Sequence, residues 1–232
     1  MTCLTNQDRK FWEPQQQVID WLVSRIKPSE KVLEVGPGFV PFPRADAFVD
    51  MRQLPTVAAD KMHVIDLNQQ QLPFEDKSFD FIYCRHVIED MYNPFRLLHE
   101  MSRVGKSGYI EMPSPTAELC RGVDGNSPPF RGYHHHHYIG WVAGNELRLI
   151  DKYPLVEYLV FEEQELADTL RAGPENWNTH YLWQDEIKFV HRRNGFEYLL
   201  TRDYAPMLHD AAKNSRGENL AFWNNLKIGK AA

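Results

Sequence analysis

The feature that most constrains the fold is a short apolar strand that runs directly into a glycine turn. Val32, Leu33 and Val35 form one apolar run and Gly36 follows at once, which is typical of a buried strand. Further apolar segments that predict strands follow at residues 47–50, 62–66, 79–84 and 109–112. Apolar residues at helical spacing lie between the last two segments. Strands that alternate with helices predict an α/β fold with a largely parallel sheet and crossover helices.

The composition limits the class of protein. With 232 residues the chain suits one α/β domain, and we predict a single domain over residues 1–232. The formal net charge of −6 argues against a nucleic-acid groove. The sequence holds no run of about 18 apolar residues, so no membrane-spanning helix is predicted. Three widely spaced cysteines favour free thiols in a reducing compartment, and the first residues lack a secretory pattern, so we expect a cytoplasmic protein.

Acidic residues stand at the ends of two later strands. Asp50 closes the segment 47–50 and Asp66 closes the segment 62–66. In parallel α/β sheets, ligands bind beyond the carboxyl ends of the strands. A carboxylate at these positions can accept hydrogen bonds from ribose hydroxyls or from an adenine amino group. The sequence therefore predicts a nucleoside-type ligand beside the glycine turn Gly36-Pro37-Gly38.

Two motifs carry a resemblance to a known family. The run Val32–Gly38 resembles the first motif of class I S-adenosylmethionine-dependent methyltransferases. The stretch Leu72–Asp90 is similar to the strand-and-loop signature of the methyltransferase type 11 group. The resemblance covers roughly residues 30–115. It implies a Rossmann-like class I methyltransferase sheet with helices on both faces, followed by an acceptor and cap region over about 116–232.

The resemblance also assigns roles to residues. It implies S-adenosyl-L-methionine as the cofactor, held by Glu34, Gly36, Pro37, Gly38, Asp50, Asp66, Leu67 and Arg85. Within this set, Glu34, Gly36 and Gly38 would surround the methionine part, Asp50 would hold the ribose, and Asp66 with Leu67 would frame the adenine. Arg85 and His86 would line the floor of the site near the methyl group.

The sequence departs from the family pattern at two places. The segment Phe39–Arg44 contains two prolines, and only eleven residues separate Gly38 from Asp50. We therefore predict a proline-rich loop where the family has a helix. Asp90 also stands where the group commonly has histidine.

The histidines supply the candidates for acceptor chemistry. His86 can serve as a general base or as a histidine bonded inside the core. In the string His134–His137, His134 with His136, or His135 with His137, can chelate a metal. Alternatively, one or two of these histidines line an acceptor site and the others lie exposed. We predict no metal and name His86, His134 and His136 as catalytic candidates.

The function predicted from these observations is methyl transfer to an oxygen or nitrogen of a small molecule or saccharide. The alternatives are a non-catalytic methyltransferase-like binding protein and, less favoured, a metal-dependent enzyme that uses the histidine string. Trp141, Trp177, Tyr181 and Trp183 can wall an acceptor pocket or pack in the core, and core packing is the commoner use of such residues. A late strand is predicted at residues 196–200.

Overall fold

A computed structural model describes residues 4–5, 8–11, 13–192 and 200–228. The described chain divides into two compact units. The sheet unit comprises residues 14–112 and 181–188, and the accessory unit comprises the described residues within 1–13, 113–180 and 189–232. The predicted late strand at residues 196–200 lies outside the described residues, apart from Leu200, which begins a helix.

The sheet unit is built on parallel strands. They are β1 (Val32–Val35), β2 (Ala47–Asp50), β3 (Met62–Val64), β4 (Phe81–Arg85) and β5 (Ser107–Pro113). With β8 (Asn178–Gln184) they form a sheet in the order β3-β2-β1-β4-β5-β8. The pairs from β3 to β5 are parallel, with Val35 opposite Val49 on one side and Cys84 on the other. The predicted Rossmann-like α/β sheet is therefore confirmed.

Two helices belong to the sheet unit, α1 (Gln16–Arg25) and α2 (Pro94–Val104). Pro94 opens α2, where the first turn needs no amide donor, and the helix buries Leu97, Leu98, Met101 and Val104. Gly105 follows its last residue. Between β1 and β5, however, α2 is the only α-helical crossover in the described chain. The other connections are loops or a single 3-10 turn, and the first of them contains two prolines, which disfavour a helix.

The strand boundaries differ slightly from those predicted. β3 ends at Val64 rather than at Asp66, and β4 runs from Phe81 to Arg85. The backbone N–H of Ile65 still donates to the carbonyl of Asp50, so the chain stays beside β2 for one more residue. It then turns, and Asp66 lies in that turn.

The accessory unit has its own sheet and helices. β6 (Tyr138–Ala143) and β7 (Glu146–Asp151) form an antiparallel hairpin, and β9 (Phe189–His191) pairs with β7 in parallel. The helices are α3 (Pro115–Leu119), α4 (Glu163–Ala172) and α5 (Leu200–Ile228). Gly144 has φ +64° at the hairpin turn, a conformation that glycine adopts without strain. No helix in the described chain has the length and apolarity needed to cross a bilayer.

The aromatic residues pack in the interior. Trp141 and Trp177 are buried in the accessory unit, and Tyr181 and Trp183 are buried in the sheet unit. The indole N–H of Trp177 donates to the carbonyl of Leu170. Cys84 and Cys120 are buried free thiols, and burial raises the pKa of Cys84 well above its usual value. These burials favour the core interpretation over an aromatic acceptor pocket.

Gly108 is a position where the sheet tolerates no side chain. A Cβ there would lie 2.5 Å from the carbonyl oxygen of Ile82 and 2.7 Å from the indole of Trp183. We expect Gly108→Ala to destabilise the protein by roughly 1–3 kcal/mol, because backbone atoms of β4 must move. Gly217→Ala in α5 is the control, since nothing lies within 4 Å of its Cβ, and alanine should add roughly 0.5–1 kcal/mol there. Urea unfolding of both variants tests this, and an unchanged Gly108→Ala midpoint would contradict it.

Candidate cofactor site

The strand order reverses direction between β1 and β4. From β1 the chain moves to β2 and β3 on one side of the sheet, and then crosses to β4 and β5 on the other. Open α/β sheets bind ligands at such a switch point, outside the carboxyl ends of the strands. Glu34 and Gly36 lie at this end of β1, and Arg85 and His86 lie at this end of β4. The topology therefore brings four of the predicted site residues to one edge.

A cleft lies at the opposite edge of the sheet unit, near the starts of the strands. It has a volume of about 620 Å³. Its lining includes Lys31 and Asp46, which immediately precede β1 and β2, and Phe79, which lies two residues before β4. The glycine turn and the strand-end acids are absent from its lining. The candidate site is therefore the carboxyl edge.

The glycine turn has the backbone that its sequence predicts. Gly36 and Gly38 have φ values of +69° and +56°, which glycine adopts readily. A Cβ on Gly36 would lie 2.3 Å from a methyl carbon of Val87, so the segment after β4 packs closely on this turn. A Cβ on Gly38 would meet nothing within 4 Å. Val87 therefore fills the space beside Gly36, whereas the space beside Gly38 is empty, and Pro37 lies between the two glycines.

Glu34 is a buried acid at the end of β1. It is only 2% exposed. Its Oε2 accepts a hydrogen bond from the backbone N–H of Phe42, at 2.8 Å. Burial raises the pKa of Glu34 to about 8, although the Phe42 N–H and the Arg85 charge both oppose this rise. A carboxyl with this pKa is mostly protonated at pH 7.

Arg85 pairs with Glu111 across neighbouring strands. Its Nε lies 2.9 Å from Oε1 of Glu111, and Arg85 stands opposite Glu111 in the β4–β5 register. The hydroxyl of Tyr109 donates to Oε2 of the same carboxylate. Burial alone would lower the pKa of Arg85, but Glu111 raises it overall. The guanidinium is therefore a fixed charge at the floor of this edge.

His86 has a constrained backbone and a buried acidic neighbour. Its φ of +52° is uncommon for a residue other than glycine. Nδ1 lies 3.2 Å from Oε1 of Glu89, which is fully buried, and Nε2 lies 3.9 Å from Oε1 of Glu111. The backbone N–H of His86 donates to the carbonyl of Glu111. The imidazole therefore lies between two carboxylates.

Asp50 and Asp66 follow β2 and β3 at the same edge. Oδ1 of Asp50 accepts from the N–H of Arg52 at 3.2 Å, and Oδ1 of Asp66 accepts from the N–H of Asn68 at 2.9 Å. Within the described chain neither Oδ2 has a hydrogen-bond donor. Each carboxylate therefore has one oxygen that can accept a hydrogen bond from a ligand. Leu67, next to Asp66 in the sequence, is buried.

The segment between β1 and β2 forms the predicted loop. No helix occurs within residues 36–46. Phe42 is buried in this loop and stacks on Tyr83 of β4, with ring centroids 4.3 Å apart and planes within 5°. Phe39 and Val40, in contrast, are 75% and 62% exposed. One side of the loop therefore packs on the sheet, and the other side presents apolar groups to solvent.

Comparison with known proteins agrees with this geometry. The family model of the type 11 group, described as a methyltransferase domain, matches residues 43–110. This segment contains Asp50, Asp66, Arg85 and His86, and it begins after the glycine turn. Part of the sheet unit is therefore similar in sequence to this methyltransferase domain family.

Solved structures similar to part of this chain include the YcgJ protein of Bacillus subtilis. It is 18% identical, with 42% of this chain and 50% of that chain covered and a TM-score of 0.35. An S-adenosylmethionine-dependent methyltransferase of Mesorhizobium loti is 16% identical, with 46% and 57% covered and a TM-score of 0.38. The chain spans about half the length of these structures. A comparison with curated proteins gave no match.

The residues at the carboxyl edge of the sheet unit suit S-adenosylmethionine. Gly38 leaves space beside the turn, and Asp50 and Asp66 each offer a carboxylate oxygen to a hydroxyl or amino group. Buried Glu34 and Glu111 are acidic, which suits a ligand that carries a sulfonium cation. The donor and acceptor set therefore matches the chemistry of this cofactor.

The other two predicted catalytic histidines, His134 and His136, lie in the accessory unit. Both line a cavity of about 220 Å³, together with Phe130, Lys152 and Tyr153. Nδ1 of His136 is 2.6 Å from Oε1 of buried Glu118, and Nδ1 of His134 is 2.9 Å from the hydroxyl of Ser127. His136 is buried and His134 is exposed.

A buried ion cluster anchors His136. Lys152 donates to Oε2 of Glu118 and to the carbonyls of Arg131 and Tyr133. Burial alone would raise the pKa of Glu118, but Lys152 and His136 lower it to about 2. Glu118 is therefore an ionised carboxylate at neutral pH.

Several residues of these two sites were not predicted from the sequence. They are Phe42, Glu89, Glu111, Glu118 and Lys152. One signal was available: Glu111 is an acid inside the apolar strand segment 109–112, and buried acids require partners. Glu118 and Lys152 are 34 positions apart, and nothing in the sequence pairs them.

Burial of Glu34 predicts a pH dependence of stability. Its pKa in the folded protein is about 8, against a model value of 4.5 for a free glutamate. Between these values the folded state holds a proton that the unfolded state releases, so stability falls as pH rises, by roughly 5 kcal/mol in total. We expect Glu34→Gln to remove this slope, and Glu75→Gln, at an exposed site, to keep it. Urea unfolding from pH 5 to 9 measures the effect, and equal slopes for Glu34→Gln and wild type would refute it.

The ion cluster of the accessory unit predicts a large stability loss. Glu118→Gln leaves the buried ammonium of Lys152 without its counter-charge, which should cost roughly 3–5 kcal/mol at pH 7. Asp168→Asn is the control, because Asp168 pairs with Arg171 at the surface, where such pairs contribute little. Thermal unfolding of both variants should show a large loss for Glu118→Gln alone. Similar losses in the two variants would disprove the special role of this cluster.

Proposed function

We propose that the protein transfers a methyl group from S-adenosylmethionine to an oxygen or nitrogen of a small molecule or saccharide. The observation that carries this proposal is the meeting of the glycine turn with the acids Asp50 and Asp66 at the switch point of the sheet. The match of residues 43–110 to the methyltransferase domain family supports it.

In this proposal the residues of the sheet unit hold and orient the cofactor. Asp50 accepts hydrogen bonds from the ribose hydroxyls, and Asp66 with Leu67 frames the adenine. Glu34 and the turn Gly36-Pro37-Gly38 surround the methionine part, with Arg85 beneath it. The cofactor itself supplies an activated methyl group on a sulfonium. The protein contributes mainly alignment of donor and acceptor for in-line transfer.

His86 is our candidate for accepting the proton of the acceptor. The contact of Nδ1 with Glu89 is the kind of carboxylate–imidazole pair that stabilises a histidine after it takes up a proton. Its φ of +52° is also the kind of backbone strain that clusters at functional sites. In this role Nδ1 holds the contact with Glu89 and Nε2 takes up the proton.

His134 and His136 remain candidates for orienting the acceptor. The supporting observation is that both line one cavity and that a hydroxyl or carboxylate anchors the Nδ1 of each. An anchored Nδ1 fixes the ring and directs Nε2 away from the anchor. A small polar acceptor, such as a hydroxyl compound or a sugar, suits a cavity of about 220 Å³ lined by histidines and aromatic rings.

One observation favours a second candidate function, a non-catalytic binding protein. A loop stands where the family has a helix after the first motif, and its Phe42 packs on Tyr83. A helix N-terminus beside the cofactor would supply backbone N–H donors, and the loop lacks that array. Under this alternative the scaffold binds a partner and holds no cofactor.

Calorimetric titration separates the two candidates. We expect wild-type protein to bind both S-adenosylmethionine and S-adenosylhomocysteine with micromolar affinity. Asp50→Ala should weaken both 10- to 100-fold, because charged hydrogen bonds to the ribose contribute roughly 1.5–3 kcal/mol. Asp60→Asn, at an exposed acid of the same unit, should bind like wild type. Absence of binding to wild type would reject methyl transfer and favour the non-catalytic candidate.

A further inference from the structure

We infer that binding of S-adenosylmethionine expels a proton from Glu34, so that the site selects the cationic cofactor through a coupled ionisation. This inference rests on the proposed function, since it concerns the same site. It concerns the charge of the site before and after the ligand binds, which the pattern of site residues alone does not reveal.

The Glu34 carboxyl is shielded from water and has few hydrogen-bond donors around it. Glu34 is 2% exposed, so water does not solvate it. Its single hydrogen bond within the described chain comes from the Phe42 N–H. A buried carboxylate needs a cation or several donors to remain ionised, and one amide does not suffice.

Arg85, the cation that acts on Glu34, is already paired with another acid. Arg85 acts on Glu34 through space, but its Nε donates to Oε1 of Glu111 at 2.9 Å. Glu111 also accepts a hydrogen bond from the hydroxyl of Tyr109. Of the two acids, Glu111 is therefore the one whose negative charge is stabilised by hydrogen-bond donors. Two buried acids thus share one guanidinium, and Glu111 holds it.

Among the described residues, the groups on β4, β5 and the loop that face Glu34 include none whose charge changes near neutral pH. On β4 these are Tyr83, Cys84 and Arg85, and both Tyr83 and Cys84 feel the Glu34 charge. Burial holds the pKa values of Tyr83 and Cys84 well above their usual range, so both stay neutral. On β5 the charged group is Glu111, and the loop presents only the amide of Phe42.

A cationic ligand changes this balance. S-adenosylmethionine carries a positive sulfonium and an ammonium group, and an opposite charge close to a buried acid favours its ionised form. The raised pKa of Glu34, about 8 in the free chain, would then fall and the proton would pass to the buffer. S-adenosylhomocysteine lacks the sulfonium charge, so it should expel less of the proton.

The test is calorimetry in buffers with different ionisation enthalpies. The slope of the observed enthalpy against the buffer ionisation enthalpy gives the number of protons released. At pH 7 we expect roughly 0.5–0.9 proton per S-adenosylmethionine, less for S-adenosylhomocysteine, and a smaller number at pH 9, where Glu34 is already ionised. Glu75→Gln is the control and should release the wild-type number.

In Glu34→Gln the release should disappear while any proton exchange of the ligand itself persists. Equal release by Glu34→Gln and wild type, or no release by wild type, would overturn the inference although cofactor binding stands. No binding of either ligand to wild type would reject the proposed function itself, and the inference with it.

A spectroscopic measurement covers the case in which Glu34→Gln does not bind or fold. The side-chain carboxyl carbon of Glu34 in wild type, labelled with carbon-13, should titrate near pH 8 in the free chain. Saturating S-adenosylmethionine at pH 7 should move it to the chemical shift of an ionised carboxylate. A signal already at the ionised position in the free chain would overturn the inference.

Discussion

The reversal of strand order between β1 and β4 is the constraint on which the site depends. Parallel strands that diverge from this point leave a crevice at their carboxyl ends, which no crossover covers. Residues distant in sequence meet there because the topology, rather than local contact, brings them together. Glu34 and His86 are separated by 52 positions, yet the pairing of β1 with β4 fixes both at one edge. The chemistry of this edge therefore follows from the fold.

Burial of charge at this edge has a cost that the rest of the fold must offset. Glu34, Glu89 and Glu111 are almost fully buried, and Arg85 and His86 lie among them. Replacing such a network by apolar residues is often neutral or stabilising, so stability alone does not account for it. Binding of a cationic ligand would account for these acids, because the ligand would supply positive charge that the protein itself does not provide.

The sequence was sufficient for the fold class and for one half of the site. The apolar run at Val32–Val35 and the following glycines predicted β1 and its turn, since strand and turn patterns are local. The prolines between Phe39 and Arg44 likewise predicted a loop. Sequence did not reveal the partners of the buried charges. The pairing of Arg85 with Glu111 depends on register between strands, and that of Glu118 with Lys152 on long-range packing. The helix predicted after Asn93 was confirmed as α2, because its proline start, its apolar spacing and the glycine after it are local signals.

The loop after β1 links these observations. Phe42 makes two contacts at once, since its ring stacks on Tyr83 and its N–H donates to Glu34. The stack orders the loop without a helix, and the hydrogen bond joins that order to the carboxyl at the switch point. Loss of the Glu34 proton would strengthen this bond, because an amide donates more strongly to a charged acceptor. A change of charge at Glu34 would thus also tighten the loop that covers it. The proline-rich segment is then an alternative way to organise this edge rather than a defect in the family pattern.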